Sequence, residues 1–242
     1  MTLQFATDAA SRDATSVGNC SAGVGGRERP GQEPRRPPRR DRARPGERLA
    51  WREEGSGILD LEYGRDLVMI AVIFGGAAFV WAGWAQERPP KGVLWRIVLV
   101  LLQLIGLVML GFGIPIAVQN WETPTALASA STALVWYIVV FWLEVIAIVG
   151  FSIFFVKTGR GALIAPLVLT VVGLHFVPLA FVFAQWILLI AAVLLTAAGV
   201  GAAFLPQRTA APSFWSGILA APIFLALGLP CLIAGAGALG AS

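Results

Sequence analysis

The chain has 242 residues, of which 57% are hydrophobic and only 13% are charged, against roughly a quarter charged in ordinary globular domains. Its formal net charge of +4 would suit a nucleic-acid partner, but most of the arginines lie in residues 27–52, outside the apolar body. The more than 170 residues after Asp66 carry only nine Asp, Glu, Lys or Arg side chains, too few to cover a water-exposed surface. This composition excludes a soluble globular fold, argues against a nucleic-acid partner and predicts a lipid bilayer as the surroundings.

The first segment of the chain, residues 1–60, is rich in Arg, Pro and Gly and poor in large apolar residues. Such a segment buries too little surface to offset its ordering entropy, so we predict a disordered tail. It has no apolar stretch of the kind found in secretory signals. Three interpretations stay open: a segment that binds anionic headgroups or nucleic acid, an inert solvated tail, or a translated stretch upstream of the true start. A true start at Met69, which lies at the first apolar run, fits the third interpretation.

Residues 61–242 are predicted to form an all-α, polytopic transmembrane bundle. A helix needs about 20 apolar residues to cross a hydrocarbon core, and continuous rather than alternating apolar runs favour helices over barrel strands. The fourth and fifth runs are separated only by Gln185; joined, they would form a helix of about 66 Å, roughly twice the core. The chain must therefore fold back there, which gives six spans: 67–85, 93–118, 130–156, 162–184, 186–205 and 214–236.

The basic residues predict the orientation of these spans. Every Lys and Arg after Asp66 falls in or beside the loops after spans one, three and five, at 86–92, 157–161 and 206–213. By the positive-inside rule these loops are cytoplasmic, both termini lie outside, and the spans form three helical hairpins. The residues that favour this orientation are Arg88, Lys91, Arg96, Lys157, Arg160 and Arg208. The residues that oppose it, all near the first span, are Arg48, Arg52 and Arg65.

Two ionisable groups lie within the spans, Glu144 in the third and His175, the only histidine, in the fourth. Glu144 precedes Lys157 by 13 residues, about 20 Å of helix, and His175 follows Arg160 by 15 residues, about 22 Å. Because a short turn joins these antiparallel spans, both side chains reach nearly the same level near mid-membrane. Whether they face each other depends on helix rotation, which the sequence leaves open.

If the two side chains meet, they can share a proton, as a proton relay requires. The alternative is a single interhelical hydrogen bond that holds two spans together, worth about 0.6–1.7 kcal/mol. No metal site is predicted, because neither Cys20 nor Cys231 has ligand spacing to a second ligand. No cofactor is predicted either.

Further polar and helix-bending residues surround this candidate centre. Tyr137 and Ser152 share a helical stripe with Glu144, and Gln103, nearer the basic loops, could contact the centre across a vestibule. Pro178 frees the carbonyl of Leu174 and predicts a kink, while Gly173 permits close approach of another helix.

Catalytic signatures are missing from the sequence. It contains no Gly-Lys-Ser/Thr phosphate loop, no H-E-x-x-H, no G-x-S-x-G and no loop long enough for a catalytic domain. Enzymatic activity is therefore not favoured.

The segment Gly173-Leu174-His175-Phe176-Val177-Pro178-Leu179-Ala180 resembles a G-L-H-F-x-P-L-A segment of small multi-span bacterial membrane proteins of uncharacterised function. The resemblance covers this span and the six-span pattern, and it implies no activity. The excess of Arg over Lys and the abundance of Ala, Gly and Val look like a high-GC bacterium such as an actinobacterium, which predicts the cytoplasmic membrane.

Three hypotheses remain for this six-span membrane protein. The leading one is transport of a small solute or protons through an intramembrane Glu144–His175 centre. The second is a non-transporting structural or assembly subunit, and the third an integral-membrane enzyme that modifies lipid. Besides the bilayer, the partners left open are further copies of the chain or another membrane subunit.

Overall fold

The computed structural model describes residues 57–129, 131–206 and 208–240, which form six α-helices. No strand occurs among these residues, and each helix is long and apolar enough to cross a bilayer. The predicted fold class, an all-α bundle with six spans, is confirmed. The helices are α1 Gly64–Ala85, α2 Val93–Gln119, α3 Thr132–Lys157, α4 Ile164–Val182, which follows a 3-10 turn at Gly161–Leu163, α5 Ile187–Phe204 and α6 Pro212–Gly240.

Polar and turn-forming residues end these apolar helices. Ser131 caps α3, since its hydroxyl accepts a hydrogen bond from the backbone N–H of Leu134 at 3.1 Å. Gly92 before α2 and Gly159 after α3 have φ values of 121° and 69°, which glycine adopts at no steric cost. Pro212 stands at the first position of α6, where its missing N–H costs no helical bond.

The turn between α4 and α5 lies where Gln185 interrupts the apolar sequence. Ala184 adopts φ 53°, the left-handed conformation that commonly ends a helix. The fully buried Gln185 amide accepts from the Asp60 N–H at 3.0 Å and donates to the Asp60 carbonyl at 2.7 Å. The Ile187 N–H donates to the Ile58 carbonyl at 3.2 Å. Ile58 and Asp60 thus contact the bundle, and residues 1–56 of the predicted tail lie outside the described residues.

Small residues bring the central helices into contact. A Cβ on Gly75 of α1 would lie 2.9 Å from the carbonyl oxygen of Gly106 of α2, and one on Gly235 of α6 would lie 2.7 Å from that of Gly64. Gly217 of α6 lies directly against the backbone of Trp81. In a bilayer, where lipid is as apolar as the side chains, such close backbone approach is a main source of helix association. The α1–α6, α4–α5 and α1–α2 pairs are accordingly the most extensively packed.

The third helix lies at the edge of the bundle. Val140 is the only buried residue of α3, and α3 packs mainly on α4. In the first predicted hairpin, α1 and α2 pack closely on each other. In the second, α3 leaves most of its apolar surface to lipid. The helix with the least packing is also the one that carries Glu144.

The α4–α5 contact predicts a difference between two glycines. A Cβ on Gly173 would lie 2.5 Å from the backbone nitrogen of Thr196, whereas one on Gly201 of α5 would meet nothing within 4 Å. We expect Gly173→Ala to lower the unfolding free energy by about 1–3 kcal/mol, the usual cost of overpacking. Gly201→Ala, the matched control, should leave the thermal unfolding midpoint in detergent unchanged or slightly higher. Equal midpoints for the two variants would contradict the packing described.

Candidate functional site

Glu144 of α3 and His175 of α4 face each other within the bundle. The Glu144 Oε1 and the His175 Nδ1 are 3.4 Å apart, and the two side chains are only 14% and 16% exposed. Helix rotation, which the sequence left open, therefore brings these two ionisable groups together. An isolated charge at this depth would be costly, so each group supplies the other's polar partner.

The histidine ring has a defined arrangement of hydrogens. Its Nδ1 lies 2.7 Å from the carbonyl oxygen of Val172. A carbonyl oxygen only accepts, so Nδ1 carries a hydrogen, which it donates to Val172. Glu144 Oε1 lies 3.4 Å from the same nitrogen as an electrostatic contact. Proton exchange on the ring is then confined to Nε2, which has no hydrogen-bond partner among the described residues.

A cavity of about 510 Å³ reaches this pair, and we name it the pair cavity. On α1 it is bordered by residues from Arg65 to Ala77, twelve residues or about 18 Å of helix. It extends from the start of α1 and the α2–α3 loop to the level of Glu144 and His175. Its lining residues are Arg65, Asp66, Met69, Ile70, Ile73, Phe74, Ala77, Trp121, Thr125, Leu127, Tyr137, Phe141, Glu144, Val172, His175, Phe176, Leu179, Phe183, Leu188 and Phe224.

Aromatic rings form much of the cavity wall. Phe74 packs edge-on against Phe176 and Phe224, with ring centroids 5.4 and 5.3 Å away, and so links α1, α4 and α6. Tyr137 of α3 packs edge-on against Phe183 at 6.0 Å. An apolar wall with a few converging polar groups is typical of small-molecule sites.

Asp66 organises the mouth of the pair cavity. It is 5% exposed and accepts hydrogen bonds from the Thr125 hydroxyl and the Ala126 N–H, both at 2.8 Å. These bonds fasten the α2–α3 loop to the first turn of α1, where a carboxylate also interacts favourably with the helix dipole.

Arg65 stands beside this carboxylate. Its Nε is 3.9 Å from Asp66 Oδ1, its guanidinium donates to the Trp121 carbonyl, and its Cζ lies 5.2 Å from the centroid of the Trp121 ring. From the sequence, Asp66 only marks where the charge-poor region begins, and Arg65 only counts as a charge near the first span. The sequence holds one signal for the role of Asp66, an acidic residue in the first turn of a span. The residues that Arg65 and Asp66 contact lie about sixty positions away and could not be identified from it.

The other predicted site residues occupy different places. Tyr137 lines the pair cavity, whereas Ser152 is half-buried farther along α3 and is not part of the lining. Gln103 lies between α1 and α2, where its Oε1 accepts from Gln86 Nε2 at 2.5 Å and its Nε2 donates to the Phe79 carbonyl at 3.4 Å. The structure therefore joins Glu144, His175 and Tyr137, and it places Ser152 and Gln103 elsewhere.

The two residues predicted to shape α4 both lie at helix contacts. Pro178 is inside α4, which continues to Val182, and it borders a shallow groove with Trp136 and Val140 of α3. Gly173 lies against Thr196 of α5. Each thus lies at the surface where α4 meets a neighbouring helix.

Within the described part of the chain, no group of three or more His, Cys, Asp or Glu side chains is placed to hold a metal ion. No protein-family model, no curated protein sequence and no solved structure matches the chain. The site is therefore interpreted from its own geometry.

The mouth of the pair cavity gives a local test. We expect Asp66→Ala to speed amide hydrogen exchange in the 120–129 loop about tenfold or more, because two hydrogen bonds to a carboxylate are lost. Glu122→Ala removes an exposed acid from the same loop and should leave exchange unchanged. Hydrogen exchange with mass spectrometry in detergent measures both. Similar protection in the two variants would show that Asp66 does not hold the loop.

Proposed function

We propose that the chain is a membrane transporter in which the Glu144–His175 pair couples movement of a small, mostly apolar solute to movement of protons. The observation that carries this proposal is the position of the pair: a carboxylate and an imidazole in contact at the inner end of an aromatic cavity. A polar pair that served packing alone would need no cavity beside it.

The pair has separable proton sites. The Nδ1 hydrogen is committed to Val172, so Nε2 and the Glu144 carboxylate are the groups that can gain or lose a proton. Both belong to residues that line the pair cavity. A solute group that donates to or accepts from either one changes the proton balance of the pair, which is the elementary requirement for coupling.

A closely packed layer separates the pair cavity from the other end of the bundle. On α1 the cavity ends at Ala77, and the next cavity begins at Trp84, seven residues or about 10 Å farther. Within this layer Ala78 and Ala82 are fully buried, and Gly217 packs against the Trp81 backbone. The geometry corresponds to a carrier open toward one side only.

The helix best suited to move is α3. Only Val140 is buried along it, and Tyr137 and Glu144 connect it to α4 through Phe183 and His175. An element with little close packing can shift at low cost. Transport would then proceed by undocking of α3, with the state of the pair setting how firmly it docks.

Charge asymmetry supports the orientation included in this proposal. Among the described residues, the end where α1, α3 and α5 finish carries six Lys or Arg and one acid, Glu87. The opposite end carries Asp60, Glu62, Asp66 and Glu122 with a single arginine, Arg65, which is itself beside Asp66. With the basic end inside, the pair cavity faces outward. The proposed location is the cytoplasmic membrane of a bacterium.

A second candidate function, a structural or assembly subunit, is favoured by the same weak packing of α3. If the pair serves only to dock this helix, its contribution is about 0.6–1.7 kcal/mol, as for other interhelical hydrogen bonds in membranes. The two functions predict different results for variants that lose the proton sites but keep the fold.

Proton coupling can be measured in vesicles that enclose a pH-sensitive dye. A panel of non-ionisable aromatic and aliphatic alcohols and amides supplies the apolar solutes without carrying protons itself. We expect at least one to change the internal pH in wild-type vesicles relative to protein-free vesicles. Glu144→Gln and His175→Ala should lower the rate about tenfold or more, since each removes a proton site. Ser152→Ala, on the same helix but outside the cavity, should retain it.

The thermal unfolding midpoint of each variant in detergent accompanies the flux measurement. Lost flux with an unchanged midpoint supports transport. A wild-type chain inactive with every solute, together with lowered midpoints for both pair variants, would instead establish the structural function.

The orientation has its own test. Alkaline phosphatase fused after Ser242 should be active, because that enzyme matures only outside the cytoplasm, whereas the same fusion within the 86–92 loop should be inactive. A fluorescent reporter that matures in the cytoplasm should give the reverse pattern. A fluorescent C-terminal fusion would overturn the orientation without affecting the geometry of the pair.

A further inference from the structure

A second cavity, of about 650 Å³, lies at the basic end of the bundle, and we name it the basic cavity. It is formed where the α1–α2 loop, the 3-10 turn before α4, the α5–α6 loop and the first turn of α6 meet. Its charged lining residues are Arg88, Arg208 and Glu87. None of these groups takes part in the pair cavity.

The first turn of α6 adds neutral hydrogen-bond donors to this lining. Ser213, which lines the cavity, lies in that turn of a 29-residue helix, so its N–H group has no acceptor within the helix. Ser213 is only 6% exposed and lines the cavity, and its hydroxyl has no hydrogen-bond partner among the described residues. This hydroxyl is therefore free to bond a ligand or water in the cavity.

Arg88 is held close to this helix end. The Ala211 N–H, immediately before α6, donates to the Arg88 carbonyl at 3.5 Å. This contact keeps the backbone of Arg88 beside the first turn of α6. Arg88, Arg208 and Ser213 all border the same cavity.

We propose that the basic cavity binds a phosphate group, carried by an anionic phospholipid headgroup or by a small soluble phosphate. Two guanidinium groups, a hydroxyl and a helix N-terminus are donors that match the several acceptor oxygens of a phosphate. The Glu87 carboxylate leaves the charged lining with one net positive charge, which suits a monoanionic phosphodiester. A basic pocket between helices at a membrane surface is also where anionic headgroups bind.

The full chain in neutral detergent tests this site with three defined probes: phosphatidylglycerol, phosphatidylcholine and inorganic phosphate. Binding is measured by native mass spectrometry for the lipids and by calorimetry for inorganic phosphate. We expect phosphatidylglycerol to bind about tenfold or more tightly than phosphatidylcholine. Arg88→Gln, Arg208→Gln and Ser213→Ala should each weaken that binding several-fold, since each removes a donor to the phosphate.

Arg160→Gln is the matched control, because Arg160 lies at the same end but does not line the basic cavity. It should bind like the wild type. Binding of phosphatidylglycerol alone identifies a lipid headgroup, whereas equal dependence on these residues with inorganic phosphate identifies a soluble ligand. No preference over phosphatidylcholine combined with no binding of inorganic phosphate, or an equal loss in Arg160→Gln, overturns the proposal.

A measurement on the unmodified chain keeps the test decisive if the arginine variants fail to fold. Phenylglyoxal reacts with accessible guanidinium groups, and the modified peptides are quantified by mass spectrometry. Phosphatidylglycerol or inorganic phosphate should protect Arg88 and Arg208 several-fold and leave Arg160 reactive. Equal protection of all three would indicate a diffuse surface effect and no site.

Discussion

The cost of an ionisable group in hydrocarbon is the constraint on which this structure depends. Glu144 and His175 lie at mid-span, and each needs a polar partner that lipid does not supply. Their contact fixes the rotation of α3 relative to α4, although α3 buries little else than Val140. A helix that would otherwise be held only by weak apolar packing thus has one orientation, which turns Tyr137 toward the cavity.

Residue size where α1 meets α6 changes between the level of the pair cavity and the closely packed layer beyond it. At the level of the pair cavity, midway along both helices, α1 and α6 meet through Phe74 and Phe224, whose rings pack edge-on and line the cavity. Toward the basic end they meet through Ala78, Ala82 and Gly217, where backbones touch and no space is left. Close packing of small residues is also what holds helices together in lipid. The same contacts therefore stabilise the bundle and close it.

The parts of the structure that could be predicted from sequence are those that depend on position along the chain. Apolar run length places the six helices, Gln185 marks a turn because no apolar helix that long fits a bilayer, and residue counts from the basic turn give the common depth of Glu144 and His175. Contacts that depend on rotation or on distant loops could not be found this way. Gln103 pairs with Gln86 on another face of the bundle, and Asp66 meets Thr125 across 59 positions. Hydropathy carries no information on either, since both are settled by which helix faces pack.

The hydrogen on His175 Nδ1 has a consequence for how the proposed carrier would work. Because Val172 accepts this hydrogen at 2.7 Å, the ring keeps its orientation whether or not Glu144, 3.4 Å from Nδ1, is charged. In the proposed carrier, protonation of the Glu144 carboxylate would weaken its electrostatic contact with His175 and so the docking of α3, while α4 would stay intact. Proton binding at Glu144 and undocking of α3 would then be thermodynamically linked. If the undocked state binds the proton more tightly, proton binding shifts the docking equilibrium toward undocking by the ratio of the two proton affinities. A solute that bridges Glu144 and Nε2 would act against that release, which is how a single pair could couple solute and proton without a second site.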